Sequence, residues 1–218
     1  MKPIRLTQSP FRYSSIITVV TMIGAGMFVP FIETQHPDIP FIGKLLFIGA
    51  TSVIAWITAY IGLRLSNTLK LPSLTRIRRK RSVWRVLAVS GLIGFGIGLG
   101  AVAMTHLFHL PTNPGILAVR LATVVWSSVF LETVGHLFLQ TIIYKYTKIQ
   151  WVAVLIASFL LTVAFHSGGA SDGATQQIVI TGINFGAMVV TGGLYARYGF
   201  ESAVVSHAVM HFVMLGLN

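Results

Sequence analysis

Residues 84–107 read WRVLAVSGLIGFGIGLGAVAMTHL, with one charged side chain, Arg85, near the start and no acid anywhere. About 20 predominantly apolar residues cross a bilayer as a helix. Lipid offers no partner for backbone N–H and C=O groups, so a spanning segment of this kind has to be helical. The run Gly91, Gly94, Gly96, Gly98, Gly100 does not fit the G-x-G-x-x-G of a dinucleotide site, which belongs at the turn from a strand into a helix. Inside a span its small residues predict a face for close helix packing.

The rest of the chain agrees with that stretch. Of 218 residues 54% are hydrophobic and 10% charged, and the mean hydropathy is +0.79, far from the balance of a soluble domain. The expected fold class is an all-α polytopic transmembrane helix bundle forming one membrane domain over 1–218. Seven spans are expected, at roughly 14–32, 42–63, 84–107, 115–144, 151–166, 176–195 and 201–217. The first is read as a retained helix, because no small-residue cleavage site follows its basic N-terminal flank.

Sixteen Lys and Arg against five Asp and Glu give a net charge of +11. In a soluble protein this would point to nucleic acid; in a polytopic one it marks cytoplasmic loops, and no nucleic-acid partner is expected. With the N-terminus inside, every Lys and Arg except Lys44 and Arg120 falls on the inner side, eight of them in 64–85. The expected location is a prokaryotic cytoplasmic membrane, with membrane lipid as the surrounding partner. The absence of cysteine excludes a thiol nucleophile, a disulfide framework and a cysteine zinc site.

Against this apolar background Glu132 and His136, and His207 and His211, stand as two pairs four residues apart. Residues at that spacing share a helix face. An ionisable group in hydrocarbon is costly and points to function when a partner can be named. At 1.5 Å per residue Glu132 and His211 lie about 16 Å, and His136 and His207 about 10 Å, from the inner ends of their spans. If the two helices are neighbours, the four groups converge near mid-membrane. His166 ends the fifth span and is the fifth candidate. The plainer reading is that each His ties two helices together by a hydrogen bond. His207-Ala-Val-Met-His211 has zincin spacing but lacks the Glu after its first His. A zinc ion held by Glu132, His166, His207 and His211 is left open, with no cofactor certain.

The order of elements over about 124–217 resembles the CPBP family of intramembrane proteases, which includes the type II CAAX prenyl proteases and bacteriocin-processing or immunity proteins. Its motifs are E-E-x-x-x-R, F-x-x-x-H and H-x-x-x-N. Leu131-Glu132-Thr133-Val134-Gly135-His136 matches the first, with Glu132 at the second Glu and His136 in place of Arg; a one-residue shift makes Glu132 the first Glu instead. Thr162 to His166 retains the His of the second, and His207-Ala-Val-Met-His211 the His of the third, with His211 where Asn is common. The resemblance implies an intramembrane endopeptidase acting on a peptide or membrane-protein substrate. Glu132 would be the general base, His166 and His207 would orient water, His211 would donate to the oxyanion and His136 would support Glu132. The alternatives are a catalytically degenerate scaffold or immunity protein of the same fold and, ranked lower, a proton- or ion-handling transporter.

Overall fold

The structure, a computed structural model, describes residues 9–35, 38–71, 83–110, 117–166 and 173–217. Regular structure among these residues is entirely helical. The helices are α1 (Pro10–Gln35), α2 (Phe41–Thr68), α3 (Val83–Leu107), α4 (117–147), α5 (Gln150–His166), α6 (Ala174–Tyr198) and α7 (Phe200–Leu217). Within α4 the ends, Leu117–Trp126 and Thr141–Thr147, are α-helical, whereas Ser127–Leu131 and Thr133–Gln140 close their turns as π-helix. The protein is a multi-pass, all-α membrane bundle.

Six helices are long and apolar enough to cross a bilayer. The remaining helix, α5, is apolar and has 17 residues, about 25 Å against a hydrocarbon core of about 30 Å, at the short end of what a span requires, so a helix stands at each of the seven places where a span was expected. The start of α5 is fixed by the preceding turn, where Lys148 takes a left-handed conformation (φ 57°) and its N–H donates to the Tyr144 carbonyl at 2.9 Å.

The bundle is polar inside and apolar outside, as lipid requires. Trp84, Leu92 and Ile178 are exposed, while Glu132, His136, Gln140 and His207 are buried. The central element is α4, 61% buried over its most apolar window, against 28–33% for the other long helices. Around it α1 packs with α2, α3 with α7, and α6 with both α5 and α7.

Small residues set these approaches. Gly94 and Gly98 of α3, one turn apart, face α7: a Cβ at Gly94 would overlap the Ser206 carbonyl oxygen, and one at Gly98 would stand 2.7 Å from Val213 Cβ. Gly96 and Gly100, on the other face, meet nothing within 4 Å. The glycine run is thus a packing face on two of its members. Gly62 of α2 likewise lies against the Leu137 backbone of α4.

One end of the bundle carries basic and aromatic side chains together. Arg64 lies 5.7 Å from the Tyr60 ring centroid, Lys145 5.5 Å from Tyr146 and Arg197 5.3 Å from Tyr198, and Trp84 and Trp151 are exposed at the same level. Amphipathic rings and basic groups collect where hydrocarbon gives way to headgroups. At this basic end α6 passes into α7 through the single residue Gly199, whose φ of 105° is open to glycine but rarely to other residues.

Candidate functional site

Glu132 sits between the two π segments of α4 and is completely buried. A π turn closes i→i+5 instead of i→i+4 and is frequent at functional sites. Side-chain hydroxyls accompany the departure from α geometry: Thr133 Oγ1 donates to the Val129 carbonyl at 2.6 Å and Thr141 Oγ1 to the His136 carbonyl at 3.4 Å. Such back-bonding competes with the helix's own ladder.

The structure brings Glu132, His136, His207 and His211 together. His207 Nδ1 lies 2.6 Å from Glu132 Oε1, and His207 Nε2 lies 3.0 Å from His211 Nε2. His136 Nε2 lies 3.6 Å from Glu132 Oε2. Depth counted on ideal α-helices levels Glu132 with His211, but its direct partner is His207. Closing turns at i→i+5 fits more residues into a given axial length, so the eight-residue segment Thr133–Gln140 draws Glu132 toward the basic end, in the direction of His207.

Helix α6 completes the setting with residues that no motif had marked. Thr191 Oγ1 contacts His136 Nε2 at 3.1 Å and donates to the Met188 carbonyl at 3.3 Å. With its hydrogen on that carbonyl, Thr191 accepts from His136 Nε2–H, which places an N–H beside Glu132 Oε2. Gln140 Nε2 donates to the Gly192 carbonyl at 3.1 Å. Gly192 has to lack a side chain, because a Cβ there would stand 2.8 Å from His136 Cε1 and 3.0 Å from Gln140 Oε1. The sequence signal for these neighbours was the small-residue face of α6, of which Gly192 serves the site while Gly182 and Gly186 meet nothing within 4 Å.

Glu132, His207 and His211 form a line in which each link holds one proton. An imidazole–imidazole bond needs one N–H and one lone pair. One proton arriving at the other ring nitrogen of His211 can therefore be answered by transfer across His211 Nε2 to His207 Nε2, and from His207 Nδ1 to Glu132. The line runs from a carboxylate without solvent exposure to an imidazole that is partly exposed.

A linear chain of this kind does not frame a metal ion. Two ligands at about 2.1 Å from a tetrahedral zinc stand about 3.4 Å apart, whereas Glu132 Oε1 and His207 Nδ1 are 2.6 Å apart. Among the described residues no three His, Asp or Glu side chains are grouped to hold a metal. The side chains of His166 and Arg120, and residues His36 and Asp172, lie outside the described residues. His166 is placed only by its backbone, at the last position of α5.

Comparison with known proteins leaves the geometry to speak for itself: no family model, curated protein or solved structure matches the chain.

Proposed function

We propose that this protein is an intramembrane endopeptidase of the CPBP type, hydrolysing a peptide bond with a water activated by Glu132. The observation that carries the reading is the buried Glu132–His207 contact at 2.6 Å, which occupies one carboxylate oxygen. The other, Oε2, has no hydrogen-bond partner among the described residues and lies 3.6 Å from His136 Nε2. A carboxylate hydrogen-bonded through one oxygen, with only the longer approach of His136 at the other, is placed to take a proton from water.

In the proposed reaction Glu132 Oε2 accepts a proton as the water oxygen bonds to the peptide carbonyl carbon. The oxyanion so formed is stabilised by N–H donors, the role assigned to His211, the partly exposed member of the line, which fills it when its second ring nitrogen is protonated, because its Nε2 is engaged with His207. Glu132 then passes its proton to the amide nitrogen as the C–N bond breaks, so that one water is consumed and a carboxyl and an amine are released. His207 and His136 hold the carboxylate from two sides. The role given to His166 rests on the family resemblance alone. We place the protein in a prokaryotic cytoplasmic membrane with the basic end inside, a reading supported by Arg64, Lys145, Lys148 and Arg197 at that end.

Leu131 favours a second reading, a catalytically silent scaffold of the same type. It occupies the position of the family's first glutamate in the unshifted match, and it packs in an apolar cluster with Ala55, Phe130, Leu161 and Met188, where no water could be activated. Replacing Glu132 with Gln separates the two. The peptidase reading expects the purified variant to unfold near the parent's temperature while losing cleavage of a reconstituted membrane substrate; cleavage at the parental rate would remove Glu132 from its role.

A further inference from the structure

Hydrolysis at the depth of Glu132 needs a supply of water, and the side of α7 leading to it carries hydroxyls that the protein leaves unsatisfied. Ser202 and Ser206 are both fully buried, and neither Oγ finds a hydrogen-bond partner among the described residues. They lie one turn apart on the same face of α7, about 6 Å along its axis. That is the reach of one water bridging two hydroxyls, at about 2.8 Å per hydrogen bond. Ser206 adjoins His207 and so stands at the level of Glu132, whose Oε2 is likewise unpartnered.

At the other end of this column Ser202 adjoins Glu201 in the first turn of α7. Tyr13 of α1 donates to Glu201 Oε1 at 2.6 Å, while Glu201 Oε2 is unpartnered among the described residues. Tyr195 and Thr141 add a second pair of hydroxyls, 2.6 Å apart, between α6 and α4 near the same end. Tyr13 and Glu201 are partly exposed, as the mouth of a path has to be. Buried polar atoms in native proteins are ordinarily satisfied, by water where protein does not serve. Ser90, Thr105 and Thr162 donate to carbonyls of their own helices, and Thr21, Ser128 and Ser158 are unpartnered elsewhere in the bundle; what sets Ser202 and Ser206 apart is that they follow one another on one helix face between the unpartnered oxygens of Glu201 and Glu132.

We infer that Ser202 and Ser206 line a single-file water path from Glu201 and Tyr13, at the basic end of the bundle, to Glu132. Its use for hydrolysis rests on the peptidase reading above; its existence does not.

The chain has no cysteine, so a single introduced thiol reports without background. Ser202→Cys and Ser206→Cys, each in the full-length protein in sealed membrane vesicles, are treated from one face at a time with silver ion and with a small, impermeant methanethiosulfonate, and followed by intact mass. Because the reacting species is the thiolate, which needs water to form, both should react at least about tenfold faster than the lipid-facing control Leu160→Cys. That reaction should come from the basic face. Rates equal to the control, or reaction from the opposite face only, would overturn the path. If Ser206→Cys does not fold, Ser202→Cys carries the same decision. Cleavage is not read, so a dry column leaves the peptidase reading standing, and an inactive protein with reactive thiols leaves the path standing.

Discussion

Replacing His207 with Ala should be among the most damaging single changes in the bundle. Glu132 has no solvent exposure and His207 has 1%, so neither group can turn to bulk solvent when the other is removed. The change deletes the 2.6 Å contact at Oε1 and leaves a carboxylate whose second oxygen has no hydrogen-bond partner among the described residues. Breaking a buried pair from one side costs about 3–5 kcal/mol. For a chain of this size each kcal/mol moves Tm by about 2–4 °C, so the expected fall is about 6–20 °C. Glu132→Gln introduced into the same variant removes the charge and should recover about 1–3 kcal/mol. The assay is thermal unfolding of the parent, both single variants and the double variant in one detergent, followed by far-ultraviolet circular dichroism. A fall of less than about 2 °C for His207→Ala, or a double variant less stable than His207→Ala alone, would refute the argument that the two side chains depend on each other.

The glycine run of α3 allows a sharper contrast. Gly94→Ala pushes a methyl group into the Ser206 backbone carbonyl, so α3 and α7 must separate and unfolding should come earlier by about 2 kcal/mol or more, whereas Gly96→Ala and Gly100→Ala meet nothing within 4 Å and should be neutral or stabilising by up to about 1 kcal/mol. Equal effects at all three positions would mean that α3 does not present that face to α7. Tyr13→Phe removes the donor to Glu201 Oε1 and should destabilise by about 1–3 kcal/mol, with most of the loss recovered by adding Glu201→Gln; thermal unfolding of the three variants checks it.

The apolar spans were legible because hydrocarbon permits little else: a segment such as 84–107 has one physical solution, and the helix Val83–Leu107 is what forms. The ionisable pairs were legible for the complementary reason, since Glu132 and His207 have no business in lipid without partners. Their pairing was less so. Ideal α geometry set Glu132 level with His211, and nothing in 127–140 announces an i→i+5 ladder, because no Pro interrupts it and its one Gly is used for packing against Leu161. Threonines also mislead. Thr18, Thr51 and Thr58 bond to their own helix, and only position distinguishes Thr191, which reaches across to His136. Tyr13 and Glu201 are 188 residues apart in the chain, so their contact depends on α1 and α7 being neighbours at the basic end, a fact of assembly that local pattern does not carry.

The single-residue join at Gly199 gives the site a calliper. Thr191 precedes the last residue of α6, Tyr198, by seven positions, and His207 follows the first residue of α7, Phe200, by the same number, so the two arms are of equal length from one pivot. Thr191 steadies His136 and His207 grips Glu132, which means that both jaws close on α4 at one height. With no slack at the pivot, a residue gained or lost in either arm cannot be absorbed locally; it turns one jaw by about 100° and spoils the alignment, even though nothing near the carboxylate has been altered.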